Sequence, residues 1–264
     1  MNHFKKQKYI SFSGGVESTT MCILYGKGAK AIFCDTGSEH KELYKRLDFV
    51  EDYIKKLHGG EFELIRIIPK AKHKGKEVNS LTDYIMETKY MPSNQARFCT
   101  RMFKIEPIEN YLKDKGEIEM LIGLNYDEQG RTGNLQKLEN CDYSYPLIND
   151  ELDREDCIAI LNMHGLNPEF PIYMQRGGCK FCFFKKEAEY KAMYFFDRET
   201  FNEVMQFEKD IQDKKKKFFT IMPNKKSMQQ LKKECETSLF TEDEMRELYT
   251  KIEKTTYCGG FCHR

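Results

Sequence analysis

The stretch that most constrains this chain is Ser11-Phe12-Ser13-Gly14-Gly15-Val16-Glu17-Ser18. A short β-rich run through Tyr9 and Ile10 leads into it, and a helix-compatible segment, residues 18–25, follows. Two glycines at a strand-to-helix turn let backbone N–H groups converge on one point with no Cβ in the way. The helix that follows adds its unpaired N–H groups and the positive end of its dipole. The combination predicts a cradle for a phosphate or sulfate group, with Ser13, Ser18 and Thr19 as further hydroxyl donors. No Gly-Lys-Ser/Thr follows, so this is not a Walker A loop. An ordinary Gly-Gly turn is the competing reading, and the neighbouring segments weigh against it.

Residues 29–34 read as a second buried strand ending in Asp35-Thr36-Gly37-Ser38-Glu39, followed by a charged helix over residues 40–57. Residues 62–68 read as a third strand and residues 118–122 as a fourth, with Gly123 to Arg131 at its carboxyl end. Strand and helix in alternation with short connections imply an α/β fold, a Rossmann-like parallel sheet with helices on both faces. Ligands of such sheets sit beyond the carboxyl ends of the strands, where all three polar segments fall. Arg131, in the last of these segments, is expected to meet a phosphate or acidic substrate. Lys70, Lys72, His73, Lys74 and Lys76 lie in what reads as a mobile basic loop, either solvated or able to close over an anion.

After Pro146 the alternation stops. Residues 152–161, 187–195, 199–214 and 227–236 look helical, and Thr241-Glu-Asp-Glu244 resembles a capping box opening a last helix to about residue 254. The chain therefore divides into a nucleotide-binding α/β part, residues 1–150, and a helical C-terminal region, residues 151–264. Lys+Arg of 43 against Asp+Glu of 42 gives a net charge of +1, which excludes a general polyanion binder and leaves nucleic-acid contact to local patches. No run is long and apolar enough to span a bilayer, and the N-terminus carries no signal-like apolar segment, so the expected location is the cytoplasm. There, the ten cysteines should be reduced, metal-bound or catalytic.

Cys179-Lys-Phe-Cys182 presents two thiols from one tight turn, and Cys258-Gly-Gly-Phe-Cys262 presents two more. Four thiolates in two pairs suit a four-iron four-sulfur cluster or a structural zinc, and spacing alone does not separate these. Cys22, Cys34 and Cys157 sit in apolar contexts and read as core thiols. His40 and His164 read as surface or capping residues.

Taken in order, these motifs resemble the PP-loop superfamily, and within it the phosphoadenylyl-sulfate (PAPS) and adenylyl-sulfate (APS) reductases with their sulfurtransferase relatives. The family pattern is Ser-Gly-Gly-x-Asp-Ser, then Asp-Thr-Gly, then Glu-Thr-Tyr. Here Glu17 stands for the Asp and Leu43 for the Thr. Cys99 to Pro107 is similar to the family's Cys-to-Lys segment, Gly123 to Arg131 to its Gly-x-x-x-x-Glu-x-x-Arg, and Gly178 to Cys182 to its Gly-Cys-x-x-Cys. The resemblance covers about residues 8–190. It implies that Ser11, Ser13, Gly14, Gly15, Val16, Glu17, Ser18, Thr19, Phe33, Asp35, Thr36, Gly37, Lys104 and Gly123 bind the nucleotide. It implies catalytic roles for Glu17, Arg131 and Cys99, with Mg²⁺ held through Glu17. It favours iron–sulfur over zinc on Cys179, Cys182, Cys258 and Cys262, with Cys99 as a substitute ligand.

Two chemistries follow from the resemblance. In one, ATP adenylates an acceptor, pyrophosphate leaves, and sulfur then displaces the adenylate. Such an enzyme would draw on a sulfur donor such as a cysteine desulfurase and could act on a nucleic acid, with no membrane partner. In the other, a cysteine attacks the sulfur of APS or PAPS, and a thioredoxin-like carrier releases sulfite. The reductases' C-terminal Glu-Cys-Gly-x-His is only loosely matched by Tyr257-Cys258-Gly259-Gly260-Phe261-Cys262-His263, which ranks reduction second. A non-catalytic nucleotide-binding regulatory module is the third reading.

Overall fold

A computed structural model of the chain describes residues 6–93, 95–132, 138–175, 178–216, 218–237 and part of 240–248. Five parallel strands form the central sheet: β1 (Gln7–Ser11), β2 (Lys30–Cys34), β3 (Glu63–Ile67), β6 (Ile118–Leu121) and β7 (Cys141–Ser144). Their order is β3-β2-β1-β6-β7. The chain runs outward one way from β1 and returns to run outward the other way from β6. The order thus reverses between β1 and β6, and a crevice opens there at the carboxyl ends. The sheet bears out the α/β Rossmann-like expectation.

The strands alternate strictly between two cores, because successive side chains of a strand point to opposite faces. Ile10, Ala31, Phe33, Leu64 and Leu121 pack on one face. There α1 (Val16–Tyr25) supplies Met21 and Cys22, and α2 (Lys41–Leu57) supplies Leu43, Leu47, Val50 and Ile54. Tyr9, Ile32, Ile118 and Met120 pack on the other, against Leu112. The apolar residues of α2 recur at helical spacing, and each buried one contributes about 1.5–3 kcal/mol.

Between β3 and β6 lie three structures. Residues 70–76 are not a mobile loop: β4 (Ala71–His73) and β5 (Lys76–Val78) pair antiparallel as a hairpin, anchored by buried Ala71 and Val78. The alternation of Lys with Ala, His and Val there was the strand pattern. Next, α3 (Leu81–Thr88) is capped by Ser80, whose hydroxyl accepts the Asp83 N–H at 3.0 Å. Last, α4 (Phe98–Thr100) continues through a π-turn (Arg101–Ile105) into α5 (Glu106–Leu112), which covers the second face. After β6 the chain forms a 3₁₀ turn (Tyr126–Arg131). Strand β7 was not expected; its Cys-Asp-Tyr-Ser is too short and polar to stand out.

The C-terminal region is helical as expected: α6 (Pro146–Asn149), α7 (Arg154–Met163), α8 (Glu187–Phe196), α9 (Arg198–Lys215) and α10 (Met228–Glu236). The Glu208 carboxylate of α9 is buried and accepts the Ile221 and Met228 N–H groups at 2.8 and 2.7 Å, joining α9 to the start of α10. Thr241 and Glu244 make the expected reciprocal cap. Among the described residues, no helix is long and apolar enough to cross a membrane.

Candidate active site

Gly14 has φ +75°, and a Cβ there would lie 2.9 Å from Leu43 Cδ1 and 3.2 Å from Leu47 Cδ2. Its backbone lies against α2, and only glycine fits that conformation without strain. Gly15 is the N-cap of α1 and offers no side-chain cap, so the first turn keeps its N–H groups for a ligand. The hydroxyls face inward instead: Ser13 and Ser18 bond each other at 3.1 Å, and Thr19 donates to the Gly15 carbonyl at 2.7 Å. Arg46 locks the loop from behind. Its Nε donates to the Gly14 carbonyl at 2.7 Å, and its Nη2 reaches the Leu166 carbonyl at 2.8 Å. Burial lowers Arg46 to about 10, which still leaves it protonated at neutral pH.

Gly123, at the end of β6, closes against α1; a Cβ there would sit 3.4 Å from the Ser18 nitrogen. Beyond it, Glu17 pairs with Arg154 and accepts the Asn125 amide at 3.3 Å, while Arg131 pairs with Glu128. Burial, then the Glu17 charge, pushes Glu128 above the usual carboxylate range, against the opposing pull of Arg131. Arg131 Nη2 is buried with no hydrogen-bond partner. An orphaned buried guanidinium N–H is a donor that an anion can satisfy, and the Arg131 partner Glu128 lies within reach of the Glu17 charge in the first turn of α1.

The second motif sits on the neighbouring strand. Asp35 accepts the Gly37 N–H at 2.9 Å and the Tyr44 hydroxyl at 2.7 Å, so it shapes the turn rather than projecting from it. Thr36 donates to Glu39 at 2.9 Å. Phe33 is buried in the sheet's core, and the Ile32 carbonyl accepts the Phe12 N–H. Cys34 donates to the Lys104 carbonyl at 3.4 Å, and burial raises its thiol to about 12. Cys22 and Cys157 are the core thiols expected.

A cavity of about 60 Å³, room for a few waters, opens beside this motif. Thr36 and Glu39 line one wall, Cys99, Thr100 and Lys104 another, and Gly178, Cys179 and Cys182 a third. The Cys179 turn is tied to the sheet by backbone bonds, Lys180 N–H to the Ser38 carbonyl at 2.8 Å and His40 N–H to the Gly178 carbonyl at 2.6 Å. A Cβ on Gly178 would lie 2.5 Å from Glu39 Oε2 and 2.4 Å from Leu43 Cδ2. That close approach is what the glycine before Cys179 is for. Burial first, then Glu39 and Cys182, push the Cys179 thiol well above its ordinary value. Three cysteines lining one cavity are donors of the type a soft metal or an iron–sulfur cluster takes, although among the described residues their sulfurs are not gathered within the 4.8 Å of one another that ligands of a single ion show. Cys258 and Cys262 lie outside the described residues.

Several of these partners were missed. Arg154 opens a helix, where a positive charge opposes the dipole, and that oddity was its signal. Arg46 flanks the apolar stripe of α2, an unusual place for a charge. His40, read as a surface or capping residue, does stand at the N-cap of α2, but it makes no side-chain cap bond and is fully buried rather than at the surface. His164 does lie at the C-cap of α7, with Nδ1 2.9 Å from the Tyr53 hydroxyl.

Residues 7–149 match the model of a family described as the phosphoadenosine phosphosulfate reductase domain. Two proteins of Methanocaldococcus jannaschii are similar in sequence. Uncharacterized protein MJ0973 is 32% identical over 106 residues, which is 39% of this chain and 22% of that protein. Uncharacterized protein MJ0066 is 26% identical over 155 residues, 55% of this chain and 28% of that protein. The aligned part is thus about a quarter of the length of these curated relatives.

Proposed function

The chain belongs to the phosphoadenosine phosphosulfate reductase domain family, and from that premise we propose that it adenylates an acceptor with ATP and couples this step to sulfur transfer. One observation carries the coupling. Thr36 of the nucleotide motif and the thiols of Cys99, Cys179 and Cys182 line the same cavity. Nucleotide and sulfur chemistry would then share one chamber.

The uncapped start of α1 receives the pyrophosphate, and Arg131 turns its unpartnered N–H to it. An acceptor oxygen attacks the α-phosphorus, the bond to pyrophosphate breaks, and the acceptor carries AMP. A sulfur nucleophile then displaces AMP and leaves the acceptor thiolated. The protein's part is alignment and charge neutralisation. Glu17 and Glu128 are the carboxylates that would hold Mg²⁺, which would neutralise phosphate charge. Cys99, Cys179 and Cys182 would hold an iron–sulfur cluster or zinc, with Cys258 or Cys262 completing the set, and that group would bind incoming sulfur. The high Cys179 thiol weighs against this residue as the low-pKa nucleophile that APS or PAPS reduction needs.

The test is ATP–pyrophosphate exchange by anaerobically prepared protein, with total cellular nucleic acid and a small-molecule extract supplied in turn as the acceptor. Exchange lost in Glu17→Ala is expected. Sulfite release from APS or PAPS without exchange would replace this reading with reduction, and neither activity with intact nucleotide binding would point to a regulatory module.

A further inference from the structure

A second cluster of donors lies behind the cysteine turn and takes no part in the chemistry above. His40, Glu42 and Asp197 each bring one ligand atom within 4.8 Å of the others. His40 and Glu42 come from the start of α2, and Asp197 is the N-cap of α9. His40 is 0% and Asp197 6% exposed.

Their hydrogen bonding is incomplete in a patterned way. Glu42 Oε1 accepts the Tyr173 hydroxyl at 3.2 Å, and Asp197 Oδ1 accepts the Thr200 N–H at 3.1 Å. Glu42 Oε2, Asp197 Oδ2 and both ring nitrogens of His40 are buried with no partner. Leaving one such polar group unsatisfied costs about 1–3 kcal/mol. Several at one point call for a common partner that accepts lone pairs from all three side chains.

We propose that His40, Glu42 and Asp197 bind a divalent transition-metal ion of the zinc class, a site separate from the cysteine cavity. An imidazole nitrogen with two carboxylate oxygens suits zinc and its neighbours. Mg²⁺ and Ca²⁺ are disfavoured, because they take oxygen ligands and retain waters that a buried imidazole does not replace. Lys185, Lys180 and Lys41 are the cationic groups whose charge reaches the His40 ring. Those lysines have anionic neighbours: Lys180 with Glu203 at 2.6 Å, Lys185 with Glu189 at 3.8 Å, and Lys41 with Glu199 at 3.9 Å and Asp197 at 3.7 Å. Of these pairs, only that of Lys41 falls on the cluster.

The ion would be structural. It would pin the start of α2 to the start of α9, and the His40 N–H bond to Gly178 would transmit that to the Cys179 turn. The inference does not depend on which reaction the cavity performs.

The test uses the full chain, stripped of metal and titrated anaerobically with Co²⁺, beside the variants Glu42→Gln and His40→Gln. Glu42→Gln preserves shape at a half-buried position, and circular dichroism checks its fold. The expected difference spectrum, wild type minus Glu42→Gln, shows visible d–d bands without a thiolate-to-cobalt charge-transfer band. Affinity at this site should fall by more than the about 10–100-fold that losing even an outer partner costs. Zinc analysis should lose one equivalent in each variant, and zinc should raise the melting temperature of the wild type by more than that of either variant. A zero difference spectrum, a difference carrying the thiolate band, or unchanged zinc content in both folded variants would overturn the proposal.

Discussion

The phosphate cradle and the thiol cavity face the same side of the molecule but are built in opposite ways. The cradle is local. Its anion-facing parts, Gly14, Gly15 and the first turn of α1, are contiguous in the chain, and distant residues such as Arg46 only brace it. The cavity is assembled from the end of β2, the α4 segment and the Cys179 turn, and no one of these makes a wall alone. A local site depends on backbone conformation, whereas an assembled site depends on packing and on whatever ties its segments together. The two should therefore fail differently.

The largest effect is expected in the assembled site. Cys179→Ser should remove both metal and a share of the fold, because binding free energy of this kind is folding free energy. A loss on the order of several kcal/mol is expected, read as a lower melting temperature together with loss of visible absorbance and iron. Full metal content in a normally stable variant would break the contrast.

The cradle comes next and separates two adjacent glycines. Gly14→Ala places a Cβ in the left-handed region, costing about 1–2 kcal/mol, and against Leu43, adding about 1–3 kcal/mol of crowding. Stability and nucleotide affinity should fall together. Gly15 has φ −79° and only Ser13 Oγ at 3.4 Å from a hypothetical Cβ. Gly15→Val should leave the melting temperature nearly unchanged while weakening nucleotide binding by about 100-fold, roughly 2.7 kcal/mol. Calorimetric titration with ATP beside thermal melts checks both; equal behaviour of the two variants would erase the distinction.

The smallest effect sharpens the comparison at the junction. Arg154, from the helical region, pairs with Glu17 of the cradle. Arg154→Ala should change stability little and lower kcat/KM by about tenfold, near 1.4 kcal/mol, with Arg154→Lys recovering part of it. An unchanged rate would make the cradle independent of the helical half.

The same contrast governs what could be read from the sequence. Ser-Gly-Gly at a strand end and the period-two strands gave the sheet and the cradle, since both are written in consecutive residues. Residues 70–76 misled because an excess of lysine masked a strand pattern held by Ala71 and Val78. Strand β7 was missed because its pairing with β6, not its own apolarity, makes it a strand. Cys179 and Cys182 were found by spacing, but the glutamate beside them was not. The Glu39 charge acts on Cys179 because Gly178 admits its carboxylate, a close approach between residues 139 positions apart for which no local pattern exists. The cap position of His40 was legible, but its burial was not, for the same reason: that burial is conferred by Tyr173, 5.4 Å away between ring centres, and by α9.

The π-turn between α4 and α5 has a consequence of its own. A regular α-helix advances about 100° per residue, which would set Lys104 roughly 140° out of step with Cys99. The wider turn, closed from the Glu106 N–H to the Arg101 carbonyl, absorbs much of that angle. Both residues then face the cavity. The number of residues in this segment therefore works like the tooth count of a gear. Forcing a plain helix with every residue of 101–105 kept would leave the cysteine and the lysine in the chain and swing one of them out of mesh, whereas a plain helix one residue shorter would set them four apart, about 40° from register, and keep both on one face. Chain length at this point carries information that no substitution could supply.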